Sequence, residues 1–280
     1  YGASGFAKNP GKASTLTPEE DRAYFSVQVG EDAYFSRHDA LGANPALYSR
    51  KLMHYAFLEL EKYDNIEEEA FYDYFNVNPV DIMEKSYEQS LLDAKNEGLI
   101  GSSTACLAIL RDDELRIANL GDCGVSVIRR NEFIFRTEEQ QHSFNYPYQL
   151  GTGSSDSPSD ALTFTVKVES GDIVVMGSDG IFDNLFDEDI LEEVVRCIAA
   201  LYSISTASQR RHERRIPEPS VICDALAKRA KNVSEDTRHH GSPFQSRAMQ
   251  EGLYYQGGKR DDMSVLVAII KVAEDSPDRR

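Results

Sequence analysis

Two hydrophobic periods alternate along this chain, and their order limits the possible folds more than any other feature. From Pro45 to about Tyr63 the apolar residues Leu52, Met53, Ala56, Phe57 and Leu60 recur at helical spacing. A second helical stripe over roughly residues 80 to 97 carries Val80, Met83, Tyr87, Leu91 and Ala94, and the acidic, tyrosine-rich "DNIEEEAFYDYF" connects the two. The period then changes. "STACLAIL", "ELRIANL", "GVSVIRR" and "EFIFR" read as short strands separated by turns, as in an antiparallel meander. "LTFTVKV" alternates, "GDIVVMG" is continuously apolar, and "MSVLVAIIKV" reads as a late central strand. Between the last two lies a helix with Ile190, Leu191, Val194, Val195, Ile198 and Leu201 on one stripe, and another is expected at about 220 to 231. Near the N-terminus "DRAYFSVQVGEDAYFS" reads as a hairpin with Glu31 and Asp32 at its tip. Strands toward both ends with helices interspersed imply an α+β class, a single domain over 1–280 in which helices cover antiparallel sheets.

Composition removes several functional classes. A formal net charge of −17 over 280 residues disfavours non-specific binding to nucleic acid and suits a protein whose acids bind cations. No run approaches the roughly 20 apolar residues of a membrane-spanning helix; "SVLVAII" stops at Lys271. The four cysteines, Cys106, Cys123, Cys197 and Cys223, form no C-x-x-C pair, so neither structural zinc nor a disulfide framework is expected, and a reducing compartment is implied. The stretch "YGASGFAKNPGKAST" has no apolar signal core and no Arg-rich amphipathic character, so a targeting peptide is expected to be absent from this chain. "STASQRRHERRIPEPS" and "EDTRHHGSP" read as mobile connectors near 203–220 and 235–243, and "GTGSSDSPSD" as a surface loop.

The acids at turns beside strands carry the chemistry. They are Glu31 and Asp32, Asp122 in "NLGDCG", Asp179 and Asp183 in "MGSDGIFDN", and Asp261 and Asp262 in "GGKRDDMSV". Taken alone, "SDGIFDN" is an ordinary turn leading into a helix with an Asp near its start. Taken together, carboxylates at neighbouring strand ends repel one another unless a cation or proton compensates them, and hard divalent ions such as Mg²⁺ or Mn²⁺ suit an all-oxygen set. Two such ions about 3.5 to 4 Å apart activate water and clamp phosphate oxygens without a protein nucleophile. The chain has no G-x-S-x-G, no Walker A loop and no cysteine-phosphatase signature, which is consistent with that route.

The ordered series "GEDAYF", "GSSTACLAIL", "ANLGDCGVSVI", "GDIVVMGSDGIFDN" and "GGKRDDMSV" resembles the metal-dependent serine/threonine phosphatases of the protein phosphatase 2C family, over most of the chain. "SFNYPYQLGTG" with "DSPSDA", and "SPFQSRA" before "GGKRDD", is similar to a mitochondrial branch of fungi and animals linked to coenzyme Q metabolism. The resemblance implies an antiparallel β-sandwich flanked by helices on both outer faces. It implies two Mg²⁺ or Mn²⁺ ions, with Glu31 holding one and Asp179 and Asp261 the other, and a third, weaker ion at Asp122 and Asp183. By the same resemblance, Asp32 and Asp262 would stand behind these ligands or act through water. The resemblance also implies that no protein group is catalytic beyond the metal-bound water, and that a bridging hydroxide would attack phosphorus in line, with no phosphoenzyme. Phosphorylated matrix proteins, including those of coenzyme Q biosynthesis, would be the substrates, and a monomer is expected.

Two family features are missing. The Asp-Gly-x-Gly-Gly motif, whose Asp bridges both metals, is absent, because "RHDALG" runs directly into "ANPALYSRKLM"; Asp39 precedes the position and is not assigned the role. Either a segment is missing between Gly42 and Ala43, preferred here because the other metal-ligand acids remain, or the chain is a variant that serves as a binding protein on the same fold. The phosphate-gripping Arg is not evident in "FSVQVGED", and Arg22 reads as a strand-edge charge. Of the remaining residues, Arg210, Arg211, Arg214 and Arg215 could dock an acidic or phosphorylated partner. His38, His54, His142, His212, His239 and His240 show no acid or nucleophile at a telling spacing and read as solvated or packing residues. Active phosphatase, silent binding protein and a different metal-dependent hydrolase all stay open at this point.

Overall fold

Helix boundaries follow the capping chemistry of the sequence. In the computed structural model, which describes residues 3–5, 23–27, 44–205, 217–236 and 241–271, Asn44 accepts from the Leu47 N–H and Pro45 opens the helix Pro45–Asp64. Asn78 and Pro79 start Pro79–Glu97 in the same way, and Gly98, at φ +65°, ends it in the left-handed conformation that glycine tolerates. The expected acidic connector contains a kinked 3-10 helix, Glu69–Asn76.

The chain divides into two compact units, each assembled from separated segments. Of the described residues, the first comprises 3–5, 23–27, 44–124 and 137–168; the second comprises 125–136, 169–205, 217–236 and 241–271.

In the first unit a five-stranded sheet runs in the order Ala3–Gly5, Ala23–Val27, Ala105–Arg111, Glu114–Leu120, Leu162–Lys167. All neighbouring pairs are antiparallel except the first. Leu52, Ala56 and Leu60 of the first helix join Ile82 and Met83 of the second over Leu107, Ile109, Ala118 and Leu120 of the sheet. The second helix buries a face wider than the expected one: Met83 and Ala94 are buried and Val80 and Tyr87 pack partly buried against the core, and Ser86 and Ser90 are buried beside them. Two hydrogen bonds permit this, since the Ser86 hydroxyl donates to the Leu52 carbonyl and Ser90 donates to the Ser86 carbonyl.

In the second unit a four-stranded sheet runs Val265–Ile269, Ile173–Gly177, Gly124–Arg129, Glu132–Arg136. Its core joins Val175, Val265, Val267 and Ile269 with Ile190 and Val194 of the helix Asp187–Ser205 and with Ile222, Leu226 and Ala230 of the helix Pro219–Glu235.

The α+β class with antiparallel sheets is as expected, but two topological details are not. The four strands between 105 and 136 form two hairpins in different sheets rather than one meander; Gly121, at φ +104°, begins the turn between them. Among the described residues Val265–Ile269 pairs only with Ile173–Gly177, which puts it at the edge of the described sheet where a central strand is expected from the sequence. It is fully buried all the same, because helix Pro219–Glu235 packs on it and Cys223 donates its thiol to the Val265 carbonyl.

The stretch 151–160 is more than a surface loop. It contains the 3-10 turn Pro158–Asp160, and Asp156 within it is buried, accepting from the Gln149 N–H and the His142 ring. His142 therefore has an acid partner, which lies 14 positions away and so could not be read from local spacing. The hairpin tip, the junction at 42–43 and the arginines at 210–215 lie outside the described residues, as do the middles of the two expected mobile connectors.

Candidate metal centre

The site begins where two paired strands end together. Ile173–Gly177 and Val265–Ile269 are antiparallel, with Gly177 opposite Val265, so residues just after the first strand meet residues just before the second. Ser178 and Ser264 fasten this end: the Ser178 N–H donates to the Ser264 carbonyl at 3.0 Å, and the Ser264 N–H donates to the Ser178 hydroxyl at 3.0 Å.

Beyond that clasp the chain turns into the short helix Asp179–Phe182, and the Asp183 N–H donates to the Asp179 carbonyl at 2.7 Å. One helical turn thus sets the two acids four residues apart on the same side. Asp261 comes in from the other strand, and Asp179, Asp183 and Asp261 each present a carboxylate oxygen within 4.8 Å of the others. Glycine is required at 180, because a Cβ there would lie 2.3 Å from the Asp262 carbonyl oxygen.

Two buried carboxylates and a third that is largely covered, this close together, demand positive charge. Lys259 supplies it, its ammonium lying 2.7 Å from Asp179 Oδ2, 2.9 Å from Asp183 Oδ2 and 2.9 Å from Asp261 Oδ2. Burial opposes charge on Lys259, but Asp179 and Asp261 outweigh it and raise the ammonium pKa above that of an ordinary lysine. The Asp261 carboxyl is pushed up to about 6, first by burial and then by the Asp179 charge, with Lys259 pulling the other way. Both directions are consistent, because one ammonium does not neutralise three acids. Arg247, from the helix Pro243–Gln250, adds a second cation by donating to Asp183.

A neutral residue holds the frame. Asn184 is buried; its amide donates to the Gly180 and Lys259 carbonyls, each at 2.9 Å, and its oxygen accepts from the Lys259 N–H at 2.9 Å. Asn184, Lys259 and Arg247 all lie inside the family-like segments of the sequence, yet none carried a functional reading. Asn184 and Lys259 have only nearness in sequence to Asp183 and Asp261 as a local signal and Arg247 has none, and nearness does not tell where a long side chain points.

The remaining sequence candidates are distributed as follows. Asp122 is buried in the other unit, and Glu31 and Asp32 lie outside the described residues. Asp262 contributes backbone: its N–H donates to Asp261 Oδ1 at 2.9 Å, and its carbonyl accepts from Ser178 Oγ at 3.4 Å. The donor set at the centre is entirely carboxylate oxygen and already surrounds an ammonium, so it fits a hard divalent cation.

An acid-lined cation site at paired strand ends of an α+β fold has known counterparts. A family model described as Stage II sporulation protein E (SpoIIE) matches residues 74–271, more than half of the chain. "Probable protein phosphatase 2C 80" of Arabidopsis thaliana is 34% identical over 231 residues, covering 82% of this chain and 48% of that protein. "Protein phosphatase PTC7 homolog" of Xenopus laevis is 36% identical over 203 residues, 69% of this chain and 63% of the relative. The solved structure of the photosystem II phosphatase PBCP superposes with a TM-score of 0.66 at 28% identity, over 90% of this chain and 92% of that one. The chain belongs to the protein phosphatase 2C family. It spans less than two thirds of the length of these two curated relatives.

Proposed function

We propose that this chain is a metal-dependent protein serine/threonine phosphatase that hydrolyses phosphoserine and phosphothreonine without a phosphoenzyme. The observation that carries this reading is the clustering of Asp179, Asp183 and Asp261, with carboxylate oxygens within 4.8 Å of one another, in a chain with the family's ordered motifs. Asp179 and Asp261 would hold one Mg²⁺ or Mn²⁺ ion and Glu31 a second, while Asp183, with Asp122, would serve a weaker third. A bound divalent ion supplies positive charge against phosphate oxygens and acidifies a water.

The protein's own groups prepare that position. The Ser178–Ser264 clasp and Asn184 fix the two loops, and burial keeps competing water away from the carboxylates. Burial and the Asp179 charge raise the proton affinity of Asp261, so protons compete with a divalent ion at this position as pH falls. Phosphorylated proteins of the mitochondrial matrix, among them proteins of coenzyme Q biosynthesis, are the proposed substrates; the motif resemblance supports this.

A second reading is a catalytically silent binding protein on the same fold. It is favoured by the missing Asp-Gly-x-Gly-Gly motif and by the fact that Lys259 already compensates the acids.

Phosphate release from phosphoserine peptides by the 280-residue chain, with Mn²⁺ or Mg²⁺, separates the two. An Asp179→Asn variant and a version carrying Asp-Gly-Val-Gly-Gly between Gly42 and Ala43 complete the comparison. Turnover only in the restored version, abolished by Asp179→Asn, supports the phosphatase reading with a missing segment. Turnover by the chain as written means that the bridging acid is dispensable. No turnover in either version, with partner binding retained, favours the silent protein.

A further inference from the structure

Lys259 occupies the position that a metal ion needs. Its three ammonium donors match three carboxylate oxygens at 2.7, 2.9 and 2.9 Å, so its hydrogen-bonding capacity is spent entirely on the proposed metal ligands. The side chain is 12% exposed, and its ammonium also lies 5.2 Å from the centre of the Phe244 ring. The backbone at 259 is held on both sides by Asn184, so the ammonium can leave only by rotation of its four-carbon stem. A divalent ion bound at about 2.0 to 2.2 Å from these oxygens would stand in direct repulsive contact with that ammonium.

We propose that Lys259 is a resident counter-cation that holds Asp179, Asp183 and Asp261 together in the metal-free protein and must swing out when metal binds. This inference rests on the metal-dependent reading given above. It makes Lys259 a residue that sets metal affinity rather than a ligand or a catalytic residue. Arg247 stays on Asp183 through the exchange, because its contact is on Asp183 Oδ1 while Lys259 holds Oδ2. Lys259 lowers the apparent affinity for the ion but keeps the acids gathered while the ion is absent.

Calorimetric Mn²⁺ titration of the wild-type chain, Lys259→Gln and Lys259→Met tests the exchange, alongside urea denaturation of each without metal. The variants are expected to be less stable without metal and yet to bind Mn²⁺ about 10-fold more tightly or better, about 1.4 kcal/mol per factor of ten. A merely structural lysine would give the stability loss without the gain in affinity.

Should a variant fail to fold, amine labelling of the wild type read by mass spectrometry answers the same question. Lys259 is expected to be protected without metal and to label several-fold faster with Mn²⁺. Equal or weaker Mn²⁺ binding by folded variants, or labelling of Lys259 that does not change with metal, overturns the proposal while leaving the metal site intact. Failure of every form to bind Mn²⁺ overturns the metal reading together with this one.

Discussion

Asn184 and Lys259 are joined by two antiparallel hydrogen bonds, side-chain amide to backbone carbonyl and backbone N–H to side-chain oxygen, each 2.9 Å long. This pairing imitates one rung of a sheet with a side chain. It holds the loop before Asp261 against the short helix that carries Asp179 and Asp183.

Asn184→Ala removes that rung and leaves buried backbone groups at Gly180 and Lys259 without partners. The expected loss is about 2 to 4 kcal/mol of stability, from two or three hydrogen bonds and the desolvation of the groups left behind. Urea denaturation without metal measures it, and an unchanged midpoint would show that water replaces the amide.

Gly180→Ala places a Cβ 2.3 Å from the Asp262 carbonyl oxygen, a backbone atom that cannot swing aside. The metal loop must shift, at a cost of about 1 to 3 kcal/mol, and Mn²⁺ affinity should fall with it. Gly98→Ala is the contrast: a Cβ there meets nothing within 4 Å, and only the φ of +65° penalises it. That variant is expected to lose about 1 to 2 kcal/mol with metal binding intact by calorimetry.

Glu59 predicts a particular acid response. It is buried, and although burial alone would raise its pKa, the Lys62 and Lys85 ammoniums at 2.5 and 2.7 Å more than offset this and hold it below the usual glutamate value. A depressed carboxylate contributes stability that is present above the unfolded pKa and is lost as pH falls through the folded one. Wild type should therefore be more stable than Glu59→Gln at pH 7, with the gap closing below about pH 4. A pH series of thermal melts reads this directly.

All four cysteines are free and buried, and burial pushes the Cys223 thiol up to about 12 and the Cys106 thiol higher still. Thiolate is the reactive species, so a disulfide reagent at pH 8 should modify none of them quickly in the folded chain and all four in denaturant. Rapid modification of one in the native protein would mean that its surroundings open far more readily than the packing indicates.

Much of this protein could be read from the one-dimensional pattern. The helices beginning at Pro45 and Pro79 start at an Asn-Pro pair and follow a helical stripe, and both signals lie within a few residues of the chain they organise. The spacing of Asp179 and Asp183 is a local signal of the same kind, because four residues make about one helical turn. Reading failed where the outcome depended on residues far away in sequence. Ser86 and Ser90 joined the buried face once Leu52 offered a carbonyl. His142 found Asp156 through the fold rather than through spacing.

The residue types at the metal centre, their order along the chain and their family likeness were set by the sequence alone, because the acids sit at strand ends whose local pattern is strong. Tertiary structure alone brought Asp261 to Asp179 across 82 positions and aimed Lys259 between them. The physical reason is that three carboxylates in a low-dielectric pocket must be compensated. The nearest flexible cation satisfies that demand only after two distant strands have paired.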